Sequence, residues 1–202
     1  MFVGMGFSGT RTATVIVPVG FMIYILMNIN NKSTLVVLFV IIIVFGAIMF
    51  GPFYGGAISR VRTAFSPSKD ASMSVREINR SRIQPYLQTH PIGGGPNTTD
   101  TEGEKLAPGH PLAGFPTDSG FLKTGLTIGW IGLIIQLVFY FITIATGVIN
   151  YYKAKNPLIR NLYLSYISVF FALMIANYAQ PAIGQKPIGQ LVFAIFTIMP
   201  NM

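Results

Sequence analysis

The chain contains no cysteine, which excludes disulfide bonds and thiolate chemistry. Charge is nearly as scarce. Asp, Glu, Lys and Arg make up 10% of the 202 residues, against 51% hydrophobic residues, and the mean hydropathy is +0.58. The only two histidines stand twenty residues apart with no carboxylate at ligand spacing. That is a poor zinc site, so no metal is expected. Neither a Walker loop nor a dinucleotide fingerprint is present, so no nucleotide cofactor is expected.

What remains is apolar, and it comes in runs. Segments 12–28, 34–54, 124–152, 161–180 and 187–200 carry almost no charge. A membrane span needs about twenty apolar residues, so the middle three satisfy the requirement, the first nearly does and the last falls short. The expected fold is all-α: a multi-pass transmembrane helical bundle of four to five spans with one long, partly helical loop. Residues 1–54 would hold two transmembrane helices, 55–122 the loop, and 123–202 two to three more.

The short loops orient the chain. Residues 28–33 carry Lys32 and no acid, and residues 150–160 carry Lys153, Lys155 and Arg160 and no acid. Both read as cytoplasmic, which places the long loop on the outer face. The net charge of +8 is concentrated locally by this topology, and the long loop is nearly balanced. Nucleic acid is not an expected partner; membrane lipid is.

The interruption at 54–122 holds all six Asp and Glu, both histidines and seven of the fourteen Lys and Arg. Chemistry is expected there. Ser74-Val75-Arg76-Glu77 has the form of a capping box that starts a helix, and Pro85 should kink or end it. Arg76 and Arg80 fall one turn apart on one face. Such a pair can grip a diphosphate through forked hydrogen bonds, or simply rest on anionic headgroups. In His90-Pro91-Ile92-Gly93-Gly94-Gly95-Pro96, the glycines can take positive φ and present amides to an anion, or form a plain turn. Asp118, just ahead of the apolar run at Phe121, is partly desolvated. It suits proton transfer or the N-cap of the next helix. His110 is the other candidate base. Arg11 stands at the outer end of the first segment, either snorkelling to headgroups or joining the loop arginines.

Four elements in this order resemble the O-antigen ligase and polymerase family of bacterial membrane glycosyltransferases. Ser8-Gly9-Thr10-Arg11 is similar to the family's Ser-Arg motif at the head of a span. Arg76, fourteen residues before His90-Pro91-Ile92-Gly93, matches the arginine that precedes the family's Pro-Leu-Gly-x-Gly turn. Gly129-Trp130-Ile131-Gly132 matches the family's Gly-x-x-Gly. The family's usual histidine position falls on Asp118, so either Asp118 takes its task or His110 reaches the site.

The resemblance covers the family's C-terminal half, members carrying further spans ahead of the segment matching Met1, which implies a partial chain. It also implies glycan transfer at the periplasmic face of the inner membrane, without metal or other cofactor. The donor would be an undecaprenyl-diphosphate-linked glycan, and the acceptor another glycan or the lipid A core. Arg11, Arg76 and Arg80 would hold the diphosphate, Asp118 or His110 would act as base, and Gly93, Gly94 and Gly95 would shape the loop against the diphosphate. The competing readings are a flippase or transporter subunit for lipid-linked glycans, for which Gln136, Asn150 and Asn177 offer a thin polar track, and an inactive truncated membrane fragment.

Overall fold

The computed structural model describes residues 11–52, 56, 62, 71–185 and 187–198, with side chains throughout except at 11–15, 71–76 and 198. Among the described residues every regular element is a helix: α1 (Arg11–Met27), α2 (Lys32–Phe50), α3 (Ala71–Thr89), α4 (Asp100–Leu106), α5 (Gly120–Lys153), α6 (Pro157–Ala179) and α7 (Ile188–Ile198). Three of them, α2, α5 and α6, are long and apolar enough to cross a membrane. The apolar stretches of α1 and α7, Ile16–Met27 and Ile188–Thr197, are shorter. This is a helical membrane bundle, as the apolar runs lead one to expect.

Capping explains where the spans begin. The side chains of Asn31 and Asn156 accept from the amides of Ser33 and Leu158, which satisfies donors at the starts of α2 and α6. Arg62 covers the far end of α2, donating to the carbonyls of Ile48 and Gly51. A cation there also opposes the negative end of the helix dipole. Along its length α2 exposes Val36, Phe39, Val40, Ile42 and Ile43. A helix that is apolar all round belongs in hydrocarbon.

The centre of the bundle is the trio α1, α5 and α6. Gly20 of α1 lets its backbone approach Ser168 and Ala172 of α6, the small-residue contact typical of packed membrane helices. Met27 and Ile23 pack against the buried cluster of Tyr151, Tyr163, Leu164 and Ile167. Helix α1 therefore runs antiparallel to α6, and its Arg11 end is level with Tyr178 near the end of α6. Helix α7 folds back onto the bundle: Val192 joins Tyr140 and Phe170 in a second cluster, and Ile195 joins the first. Phe170 meets Tyr140 and Phe196 edge to face at 5.4 and 5.3 Å, a favourable arrangement of ring quadrupoles.

Both short basic loops lie at one end of the bundle. The Tyr151 hydroxyl joins them, donating to Met27 and Asn28 and accepting from Arg160 at 3.0 Å. The long loop lies at the other end and has a core of its own, in which Ile83, Leu112 and Leu126 are buried with Leu87, Phe115 and Leu122 around them.

The capping expectation for α3 is corrected, and of the kink or end expected at Pro85 the end does not occur. Helix is already formed at Ala71, so Ser74 sits inside it and the Ser74–Glu77 pair is no capping box. Pro85 neither ends nor breaks the helix, which continues to Thr89. The ring removes one ladder bond, but Ile83 and Leu87 on either side of it are anchored in the loop core, and that packing outweighs the loss.

Candidate functional site

The long loop is locked onto the bundle by a broken helix. Within α5, Gly129 has φ 74 and ψ 176, a region open essentially to glycine alone. A break strands carbonyls before it and amides after it, and the turn at 90–96 supplies their partners. The amides of Gly94 and Gly95 donate to the carbonyls of Leu126 and Thr127 at 2.8 and 2.9 Å, and the Ile131 amide donates to the Pro91 carbonyl at 3.4 Å. Gly93 and Gly95 reach this geometry with φ 78 and 100. A Cβ at Gly93 would stand 2.5 Å from the Gly129 amide nitrogen, and one at Gly129 would stand 1.9 Å from the Pro91 oxygen. The two glycine motifs are thus opposite faces of one contact. The Gly93 amide is also engaged, with His90, so all three amides of the triplet are bonded within the protein. The glycines shape the loop against α5, and their amides are not offered to an anion.

A second lock involves Asp100. Its carboxylate accepts from the Thr117 amide at 2.7 Å and from the Thr117 hydroxyl, and pairs with Lys123 at 3.1 Å. Lys123 also approaches Glu102 at 3.5 Å. Burial pushes the Asp100 carboxyl up, but Thr117 and the Lys123 ammonium more than offset it and hold the group below its ordinary value. Little in the local sequence marks Asp100, because its short contacts, Thr117 and Lys123, lie seventeen and twenty-three residues downstream.

Beside these locks, α3, α5 and α6 enclose a cleft of about 450 Å³. Its apolar lining is Leu87, Phe121, Leu122, Leu133 and Trp130, and its polar lining is Glu77, Arg80, Ser81, Gln84, Ser119 and Tyr178. Arg80 donates to the Tyr178 hydroxyl at 3.1 Å and lies 5.0 Å from that ring's centroid. The guanidinium is therefore held at the cleft by α6. Trp130, just past the break in α5, is 45% exposed.

The sequence candidates divide. Arg80 lines the cleft. The side chains of Arg11 and Arg76 lie outside the described residues, as do Ser8, Gly9 and Thr10. By backbone, Arg11 is at the Tyr178 end of the bundle and Arg76 is one turn before Arg80. Asp118 does not line the cleft, although its neighbour does. Ser119, not Asp118, is the N-cap residue of α5, and its hydroxyl is spent on the Asn177 carbonyl at 3.3 Å rather than on the helix.

His110 packs on the far side of α3, where its ring and the Tyr86 hydroxyl converge on Gly94. Its Nδ1 accepts from the Leu112 amide at 3.2 Å, which leaves Nε2 as the free nitrogen. Burial pushes the Tyr86 phenol up, and the Tyr86 ring stacks on His90 with centroids 3.9 Å apart.

Among the described residues no group of His, Asp and Glu is placed to hold a metal ion. Among the polar residues of the spans, Gln136 donates to the Tyr140 hydroxyl at 2.7 Å, Asn177 accepts from the Ile183 amide at 3.2 Å, and Asn150 is likewise partnered, whereas the buried Gln136 Oε1 and Ser168 Oγ find no partner among the described residues. Sequence reasoning did not reach Glu77, Trp130 and Tyr178 as cleft residues. The i to i+4 spacing of Glu77, Ser81 and Gln84 (the last at i+7) is the one signal that could have grouped the α3 face.

Comparison with known proteins gives one family match. The family described as O-antigen ligase matches residues 1–137, from before α1 through the break in α5 and the α3 and α5 walls of the cleft. No curated protein and no solved structure matches.

Proposed function

Since the chain belongs to the O-antigen ligase family, a family of glycan-transferring membrane ligases, we propose that it transfers or polymerises glycan from an undecaprenyl-diphosphate-linked donor at the periplasmic face of a bacterial inner membrane. One observation carries the placement: Arg80 lines a cleft that also presents Leu87, Leu122, Leu133 and Trp130. A lipid-linked sugar is amphipathic in the same sense. Its isoprenoid suits Leu87, Leu122 and Leu133, and its diphosphate suits the Arg80 guanidinium.

The chemistry follows from the donor. Breaking the anomeric C–O bond leaves charge on the lipid diphosphate, and a fixed cation lowers the cost of that departure. Arg80, oriented by Tyr178, supplies it, with Arg11 and Arg76 from the same end of the bundle. The donor arrives already activated, so neither a nucleotide nor a metal is called for. The acceptor hydroxyl belongs to another glycan or to a lipid A core, and its proton needs an acceptor. Asp118 and His110 are the candidates on the loop, and neither lines the cleft.

The test is a deletion of the gene in its source bacterium, complemented with the full chain or with Arg80→Ala at matched membrane abundance. Surface polysaccharide is read on a gel. Restoration by the full chain and a loss of about 10²-fold or more with Arg80→Ala are expected, the size typical of removing a charge-stabilising donor. Full restoration by Arg80→Ala would refute the placement of the diphosphate.

A further inference from the structure

The cleft holds one ionisable group that the scheme above leaves idle. Glu77 is exposed in the lining of the cleft, one helical turn from Arg80 and on the same face as Ser81 and Gln84. It does not cap α3, which is already helical at Ala71. Resting on the proposed glycan transfer, we infer that Glu77 is the proton acceptor of the reaction, taking the hydroxyl proton of the acceptor sugar in the cleft where Arg80 holds the donor diphosphate.

Three observations support this. The first is that Glu77 and Arg80 do not neutralise each other. Arg80 turns onto Tyr178, with a hydrogen bond at 3.1 Å and the ring centroid at 5.0 Å. Among the described residues nothing pairs with the Glu77 carboxylate. A free carboxylate and a fixed guanidinium in one cleft can each meet a different part of a substrate.

The second is that the other bases face elsewhere. Tyr86 is nine residues beyond Glu77, which at about 100° per residue is half a turn round the helix. His110 packs on that Tyr86 side, its ring and the Tyr86 hydroxyl both lying against Gly94. Asp118 stands just outside the cleft, behind Ser119.

The third is the company Glu77 keeps. Ser81 and Gln84 offer hydrogen bonds, and Trp130 and Tyr178 offer exposed aromatic side chains. Convergent polar groups beside aromatic side chains suit a pyranose ring.

The step balances. The acceptor hydroxyl oxygen forms a bond to the anomeric carbon of the donor. The bond from that carbon to the diphosphate oxygen breaks, and its electron pair stays on the diphosphate, where Arg80 offsets the charge. The hydroxyl proton passes to the Glu77 carboxylate and then to water, which restores the base.

The experiment uses the deletion strain with the full chain, Glu77→Gln and Glu77→Asp, and in parallel the purified proteins titrated with geranylgeranyl diphosphate. Binding is followed through Trp130, the sole tryptophan, which lines the cleft. Glu77→Gln should lower polysaccharide formation by about 10²–10⁴-fold, the usual contribution of a general base, while its affinity for geranylgeranyl diphosphate stays unchanged or tightens. Glu77→Asp should recover part of the transfer. Wild-type polysaccharide with Glu77→Gln would overturn the inference. So would loss of both transfer and diphosphate binding in that variant, since the effect would then be structural. A wild-type chain that fails to restore polysaccharide would overturn the glycan-transfer reading itself, a result distinct from either.

Discussion

Replacing Gly129 with alanine should release the long loop from the bundle. The new Cβ would stand 1.9 Å from the Pro91 oxygen and 2.3 Å from the Pro91 carbonyl carbon. Both are backbone atoms, so no side chain can swing aside. Holding φ 74 and ψ 176 with alanine costs about 1–3 kcal/mol even without that overlap. If the backbone relaxes to helical values instead, α5 closes its own ladder through the break. The carbonyls of Leu126 and Thr127 are then lost to Gly94 and Gly95, and the Pro91 carbonyl loses the Ile131 amide. At about 0.5–1.5 kcal/mol per bond, the loop loses roughly 2–4 kcal/mol of anchorage. Limited thermolysin digestion of the detergent-solubilised protein reads this directly, by mapping cuts between residues 89 and 99. Cleavage that follows the open population should accelerate by about thirtyfold or more. Gly132→Ala is the control from the same motif. The three atoms nearest its Cβ would all belong to the Ile128 side chain, at 2.6–3.0 Å, and alanine is the better helix former. If Gly129→Ala protects residues 89–99 as the wild type does, the docking of loop onto broken helix is wrong.

Gly93→Ala attacks the same junction from the loop side, with φ 78 and a Cβ 2.5 Å from the Gly129 nitrogen, and should show the same digestion pattern. Asp100 sets an acid limit. A carboxyl held below its ordinary value stabilises the fold fully above the unfolded value of about 3.9 and loses that contribution as pH falls through the folded value. Loop protection should therefore drop below about pH 4 in the wild type, and Asp100→Asn should abolish that dependence. Gly120→Ala would place a Cβ 2.0 Å from Oδ1 of the buried Asn177, whose oxygen is committed to the Ile183 amide. The overpacking should cost about 1–3 kcal/mol, seen as a lower Tm. At the other end, Tyr151→Phe removes a hydroxyl shared by Met27, Asn28 and Arg160 and should cost about 1–3 kcal/mol by the same measurement.

The spans are legible in the sequence because hydrocarbon imposes a length on them, and α2, α5 and α6 fall on the runs at 34–54, 124–152 and 161–180. The grouping of the basic short loops is legible for the same reason, and the Tyr151 hydroxyl confirms that Asn28 and Arg160 share one end. What sequence periodicity misses is non-local. The interruption of α5 at Gly129 is stabilised by Pro91, Gly94 and Gly95, more than thirty residues earlier. Helix α3 survives Pro85 through contacts with Leu112 and Leu126. The cleft needs Tyr178 of α6 beside Arg80 of α3, ninety-eight residues apart. Arg80 stands out in the sequence as a cation one turn from Arg76 in a sparsely charged chain. Glu77 does not, because a serine three residues before it suggests a capping role that the longer helix removes.

The most direct measurement is a titration of the purified wild-type chain and Arg80→Ala with geranylgeranyl diphosphate, and with geranylgeraniol as the uncharged control, followed through Trp130 emission. A saturable change with the diphosphate is expected for the wild type, weakened roughly ten- to a hundredfold by Arg80→Ala, in line with hydrogen bonds to a charged group. The alcohol should bind both proteins equally. Identical curves for the two proteins with the diphosphate, or no saturable change at all, would contradict the assignment of this cleft to a lipid diphosphate.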